Sequence, residues 1–349
     1  METKVVKIDS SNPDIELVKE AARYITGGEL VGFPTETVYG LGANGLDENA
    51  VRKIFMAKGR PQDNPLILHV NSIEMLRTLV VEIPDKALKL IDAFWPGPLT
   101  ILFKKNNIVP EVITAGLDTV AIRMPSHKIA LELIGASNTP IAAPSANTSG
   151  RPSPTRAEHV VEDMNGKIPL IIDGGETGIG LESTVIDLTE DIPMILRPGG
   201  ITPRDIIEVL GECKIDPGLE ETSIDSTPKS PGQKYRHYAP KAKMFVFTGK
   251  SEDVNKEMLI RATKAKHEGK KVGIMTTIEN VEFFSGFMIE EMGSLDDVDS
   301  IAHNLFHLIR KLDEAKVDLI LCQGVERDSI GLAVMNRLYK ASGGNIIQL

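Results

Sequence analysis

Apolar residues recur at Ile15, Val18, Ala22 and Ile25, a helical spacing over residues 14–26 that Gly27 and Gly28 bring to an end. Beyond it the rhythm changes. ELVGF, LILHV, PLTILF, VAIRM, PIAAP, PLIID, STVIDL and MILRP are short β-rich runs bounded by Gly, Pro or Asn. Helices are predicted between them, starting near Asp47, Ser72, Pro84, Ser126 and Thr155. Thr202 followed by Pro203 reads as an N-cap with proline in the first turn, leading into IIEVL. Some strands follow one another without an intervening helix, so a mixed sheet is expected rather than a strictly parallel one.

The periodicity fails over residues 211–242, where prolines, serines and threonines are scattered with no sustained apolar repeat. It returns as KMFVFTG, KVGIMTT, FMIEEMG and VDLILCQ, predicted strands, with helices over 254–267, 297–316 and 331–341. The expected chain is thus α/β in two parts. Residues 1–210 form a domain with a twisted, mixed sheet and helices, 211–242 a linker, and 243–349 a smaller, Rossmann-like three-layer domain. A length of 349 residues suits two domains.

Composition narrows the class. A hydrophobic share of 42% and a charged share of 25% are those of a globular protein with a substantial core. The net charge of −10 argues against coating nucleic acid or an anionic membrane through bulk charge. Two stretches escape that acidity: residues 51–62 and residues 226–242 each carry four cations and no acid. Cys213 and Cys322 are too few for a disulfide framework or a Cys-rich zinc site. The N-terminal residues have no apolar stretch suited to a signal peptide, and no segment approaches a membrane span, so a cytoplasmic protein is expected.

Several segments hold candidate chemistry. Arg52 and Lys53 read as solvating a helix face, whereas Lys58 and Arg60 flank a turn at Gly59 and can both face one anion, most commonly phosphate. Residues 142–155 leave the end of a predicted strand, where open α/β folds bind ligands. There Ser145, Asn147 and Ser153 offer uncharged hydrogen bonds, although such a run also reads as a turn with Ser153 or Thr155 capping a helix. The hydroxyls of residues 34–42 and Tyr39 follow a strand directly and could meet a small polar ligand, while Val38 and Leu41 suit the core. Arg123 lies between apolar residues, and a buried arginine needs an anion, either a structural carboxylate or a substrate's. Residues 174–184 carry four glycines, and Arg197 begins another turn. No Walker A pattern, H-E-x-x-H, G-x-S-x-G elbow or EF-hand loop is present. His303 and His307 stand one helical turn apart, but their neighbours Leu305, Phe306, Leu308 and Leu312 read as an amphipathic core helix rather than a metal site.

Taken in order, PTETVYGLG (34–42), KGRPxxNPL (58–66), PSANxSG (144–150), ESTVID (182–187) and RPG (197–199) resemble the YrdC-type domain of the L-threonylcarbamoyladenylate synthase family. The linker residues 230–240 are similar to those of its long, two-domain form. The resemblance implies a YrdC-like first domain and a nucleotidyltransferase that joins L-threonine, bicarbonate or CO2 and ATP, with Mg²⁺ on the ATP phosphates, into threonylcarbamoyl-AMP and pyrophosphate. A downstream tRNA threonylcarbamoyl transferase, with transient tRNA contact, is the implied partner. By resemblance Lys58, Arg60, Ser145 and Asn147 form the signature tetrad. Arg60, Asn64, Thr119, Ser145, Ser153, Arg197 and the linker residue Tyr235 would contact ATP. Thr37, His69, Arg123, Ala143 and Ser183 would hold threonine. Chemically, positioning and cations over the developing phosphate charge are what such a reaction needs, with Arg123 facing the threonine carboxylate and the linker closing as a lid.

Two other functions fit parts of the pattern. A carbamoyl-AMP-forming maturation domain normally comes with Cys-rich modules, which two cysteines cannot build. A non-catalytic module binding double-stranded RNA or tRNA would show salt-sensitive RNA binding without consuming ATP.

Overall fold

The computed structural model describes residues 2–220 and 237–349. Among these, residues 2–149 and 153–220 form one compact unit, and residues 150–152 and 237–349 another. No helix of the described residues is long and apolar enough to cross a membrane.

The first unit is built on an eleven-stranded mixed sheet. From one edge the strands run Lys4–Lys7, Leu170–Asp173, Val31–Phe33, Gly40–Asn44, Ile141–Ala142 and Ile67–His69. Thr119–Arg123, Leu99–Lys104, Thr184–Asp187, Met194–Arg197 and Lys214–Ile215 complete it. The expected mixture of directions is present: Ile67–His69 runs parallel to Thr119–Arg123, which runs antiparallel to Leu99–Lys104. Helices cover both faces. Glu48–Lys58 and Asp85–Phe94 bury Ile54, Phe55, Leu90 and Ile91 against one face, with Leu68, Ile101 and Ile122. Ile15–Thr26 and Lys128–Ser137 bury Val18, Ile25, Leu133 and Ile134 against the other, with Val31, Phe33 and Ile172. The Asp14 carboxylate accepts from the Glu16 and Leu17 amides, and Thr202 with Asp205 closes a reciprocal capping box, so these helices start where the sequence places them.

Gly40–Asn44 was not expected to be a strand, because GLGAN has none of the β-branched or aromatic residues that signal one. Packing explains its composition. A Cβ on Gly42 would stand 2.9 Å from the Phe33 ring and 3.0 Å from Ile141, so the strand fits between its neighbours only without a side chain there.

The second unit carries five parallel strands, in the order Met288–Glu291, Val272–Thr276, Leu319–Gln323, Lys243–Thr248, Ile346–Gln348. Phe247, Ile274 and Leu321 pack with Val254, Met258 and Ala262 of helix Ser251–His267. On the other face Gly273 lies against Leu312 of helix Val298–Glu314. This is the three-layer arrangement expected for the C-terminal part. His303 and His307 sit on that second helix, whose Leu305, Phe306, Leu308 and Leu312 are buried. Of the linker, Tyr238 packs its ring 5.0 Å from that of Phe306.

Candidate active site

Helix Glu48–Lys58 ends on Gly59, which takes a left-handed conformation (φ 61°) and turns the chain sharply between Lys58 and Arg60. The turn sends the two cations to different tasks. Lys58 is 2% exposed, and its ammonium donates to the carbonyl of Ser145, to that of Asn147 (2.6 Å) and to Asn147 Oδ1 (3.4 Å). It therefore holds the PSAN loop from beneath, while the Ser149 amide returns a bond to the Lys58 carbonyl at 2.9 Å. Arg60 instead reaches along its own loop, donating to the Pro65 carbonyl at 3.0 Å. Asn64, beside it, is 1% exposed, and its Oδ1 accepts no hydrogen bond among the described residues. Asn147 donates Nδ2 to the Thr148 carbonyl (2.9 Å), and Ser145 bridges to Gly40 across the loop.

A second group forms around Arg123, 3% exposed at the end of its strand. Its Nε donates to Gly97 O (3.2 Å), its Nη1 to Thr37 Oγ1 (2.8 Å), and its Nη2 stands 2.5 Å from Glu36 Oε1. Register places His69 on one side of Arg123 and Thr100 on the other. Thr100 Oγ1 meets Ser183 Oγ at 2.8 Å, and Arg197 donates Nη2 to the same hydroxyl and Nε to the Ser183 carbonyl, both at 3.0 Å. Ser153 donates to Glu182 Oε1 (2.5 Å), and Ala143 is 6% exposed, its amide bound to Ile67 O at 3.1 Å.

Of the expected threonine set, Thr37, His69, Arg123 and Ser183 are thus connected by hydrogen bonds or strand register, Ala143 is tied to the strand of His69 through Ile67, and Arg197 joins them. Thr119 does not. It opens the strand that Arg123 closes, about 13 Å away at the usual strand rise, on the side where residues 64–66 lead into Ile67. Tyr235 lies outside the described residues. Three expectations change. Neither Ser153 nor Thr155 caps a helix, since Ala157–Met164 starts at Arg156 and Ser153 is turned to Glu182. Tyr39 is fully buried, its hydroxyl donating to Gly175 O (2.6 Å) and accepting from the Gly174 amide, so that hydroxyl is spent on tying two loops together. And of the two partners open to Arg123, the structure supplies the carboxylate, Glu36.

Comparison with known proteins bears on this geometry. One family model, described as telomere recombination, matches residues 23–199, and another, described as threonylcarbamoyl-AMP synthase C-terminal domain, matches 201–343. The threonylcarbamoyl-AMP synthase of Pyrococcus abyssi is 55% identical over 333 residues, covering 95% of this chain and 96% of the relative. That of Bacillus subtilis is 46% identical over 344 residues, covering 98% and 96%. The chain belongs to the threonylcarbamoyl-AMP synthase family. A crystal structure of P. abyssi Sua5 complexed with L-threonine superposes with a TM-score of 0.95 at 53% identity, covering 99% of this chain and 100% of that one.

Within this synthase fold, Glu36, Thr100, Glu182 and His127 are site neighbours that sequence reasoning passed over. Glu36 and Glu182 lie inside two of the motifs, and an acid beside a hydroxyl-rich strand end was the available signal. Both oxygens of Glu36 are buried; Oε1 is held in the ion pair with Arg123, and Oε2 accepts no hydrogen bond among the described residues. Burial lowers the pKa of His127, and the charge of Glu36 pulls it partly back up. His69 is fully buried, and burial together with the Arg123 charge pushes it down to about 3 from 6.5. The folded chain thus refuses a proton that the unfolded chain accepts below pH 6.5, so stability should fall with pH from about 6.5 to about 3. The slope is about 1.4 kcal/mol per pH unit. Urea unfolding at stepped pH should show that slope reduced by the same amount in His69→Asn, and an unchanged slope would overturn the assignment.

Proposed function

We propose that this chain condenses L-threonine, CO2 drawn from bicarbonate, and ATP into L-threonylcarbamoyladenylate, releasing pyrophosphate as a nucleotidyltransferase. The observation that carries the reading is the Arg123–Glu36 pair, with Thr37 and His69 beside Arg123 and Ser183 reached through Thr100. An amino acid is a zwitterion, and a buried pair of opposite charges is its complement. Threonine would insert between the two, its carboxylate taking Arg123 and its amine taking Glu36, whose Oε2 accepts no hydrogen bond from a described residue beforehand. Membership of the synthase family supports the same substrate, as does the threonine bound by P. abyssi Sua5.

The chemistry asks little covalent work of the protein. The threonine ammonium gives a proton to water, the free amine attacks CO2, and the adduct gives up a second proton to become a carbamate. A carbamate oxygen then attacks the α-phosphorus while the bond to the pyrophosphate oxygen breaks. No side chain becomes attached to substrate, so catalysis rests on alignment and on positive charge near the phosphates. Arg60 and Arg197 are the side chains proposed to supply that charge, with Asn64, Ser145, Ser153 and Thr119 along the nucleotide and Lys58 holding the loop on which Ser145 and Asn147 stand. Mg²⁺ would arrive on the triphosphate. The donor set suits that arrangement, because the nearby carboxylates Glu36 and Glu182 already face Arg123 and Ser153. Tyr235 and the linker are proposed to shield the product from water. A tRNA threonylcarbamoyl transferase acting on adenosine 37 would consume it.

Purified protein given ATP, bicarbonate and L-threonine should release pyrophosphate only when threonine is present. Release that is indifferent to threonine would overturn the reading.

A further inference from the structure

The sheet of the second unit has a feature that a purely structural domain does not need. Its neighbouring strands Lys243–Thr248 and Leu319–Gln323 send the chain in opposite directions. The first continues through helix Ser251–His267 to Val272–Thr276, beyond one neighbour, and the second through helix Gly331–Ser342 to Ile346–Gln348, beyond the other. Open parallel sheets bind ligands in the crevice that such a reversal leaves at the carboxyl ends of the strands. A crevice of about 1000 Å³ lies at that place, lined by Thr248, Lys250, Ser251, Gln323 and residues 324–328. This volume is enough for a nucleotide-sized molecule.

The walls are chemically differentiated. Beneath them lies a buried polar network in which Gln323, 3% exposed, accepts through Oε1 from Thr276 Oγ1 (2.8 Å), the Thr277 amide (3.3 Å) and Asn280 Nδ2 (3.2 Å). With Oε1 so engaged, Nε2 remains as the donor toward the crevice, and no described group accepts from it. At one end, Gly249 takes a φ of 132° and leads straight into the helix, and a Cβ there would stand 2.5 Å from Leu349 O. The helix has no side-chain cap, and its first backbone bond is made by Val254, so the amides of Ser251, Glu252 and Asp253 precede the ladder beside the Lys250 ammonium and the Ser251 hydroxyl. Glu252 and Asp253 carry negative charge there, so Lys250 is the side chain that makes this end attractive to an anion. The facing loop presents the carboxylates of Glu326 and Asp328, acceptors suited to vicinal hydroxyls, and Leu295, Val298 and Val325 add apolar surface suited to a flat base.

We infer that this crevice is a second small-molecule site and that it takes a nucleoside monophosphate, with the phosphate at the start of helix Ser251–His267, the ribose hydroxyls toward Glu326 and Asp328, and Gln323 Nε2 donating to the ligand from below. The inference concerns the second unit alone and stands independently of the reaction proposed for the first.

Hydrogen–deuterium exchange on the full chain, with AMP as the probe, tests it site by site. AMP should slow exchange at residues 249–254 and 324–330, whatever it does in the first unit. Lys250→Glu, a change at an exposed position, should raise the AMP concentration needed at those residues by about tenfold or more, the worth of a lost charge-assisted bond. Slowing confined to the first unit, or slowing at 249–254 that Lys250→Glu leaves unchanged, would overturn the site. Inorganic phosphate reproducing the whole AMP pattern at equal concentration would overturn the nucleotide assignment.

Discussion

Lys58→Met should lower threonine-dependent pyrophosphate release by a hundredfold or more while leaving a folded, weakened protein. The ammonium it removes serves two carbonyls and a side-chain oxygen of the loop that carries Ser145 and Asn147. Losing those contacts costs about 1–3 kcal/mol for each buried acceptor left unsatisfied. Removing a buried cation recovers part of that cost, and a net loss of about 3 kcal/mol is expected. The kinetic loss has a separate origin. A loop displaced by about 1 Å at a site that works by alignment is enough for a hundredfold. Unfolding midpoints and initial rates, measured on the same preparation below the variant's transition, separate the two effects. A variant that is destabilised yet turns over normally would show that the loop needs no such anchor.

The larger effect on stability belongs to Arg123. Arg123→Gln leaves Glu36 a buried charge with no counter-charge, which costs about 3–5 kcal/mol. It should also abolish saturation by threonine. These consequences come apart in the double variant Arg123→Gln with Glu36→Gln. Removing both charges should restore most of the stability, because the uncompensated carboxylate is gone, whereas threonine-dependent turnover should stay lost. Recovery of turnover in the double variant would mean that the pair is structural and that threonine is held elsewhere.

The outline of the fold was legible where burial wrote itself into residue choice. The strands that carry His69, Arg123 and Arg197 are apolar, β-rich runs with clear boundaries, and their motif residues stand out at the ends. Gly40–Asn44 was hidden because close packing on Phe33 and Ile141 selects glycine, which reads as a loop. Lys4–Lys7 and Ile346–Gln348 are edge strands of four and three residues, too short for alternation to show. In the site, the residues with unusual chemistry could be named from sequence, but their pairings could not. Thr100 reaches Ser183 because strands distant in sequence lie side by side, and Arg123 reaches Glu36 because the loop after Val31–Phe33 comes over the end of its strand. Tyr39 shows the opposite error: a polar group at a strand end that the fold uses on its own backbone.

The edge strand Lys4–Lys7 also sets a timetable for the nascent chain. Among the described residues its strand partner is Leu170–Asp173, so residues 4–7 must wait for more than 160 later ones before they can pair. Until then they are an exposed edge, and the lysines at both ends of KVVK discourage pairing with a neighbouring molecule. Synthesis at about 5–20 residues per second makes that wait on the order of ten seconds, during which the first unit cannot close.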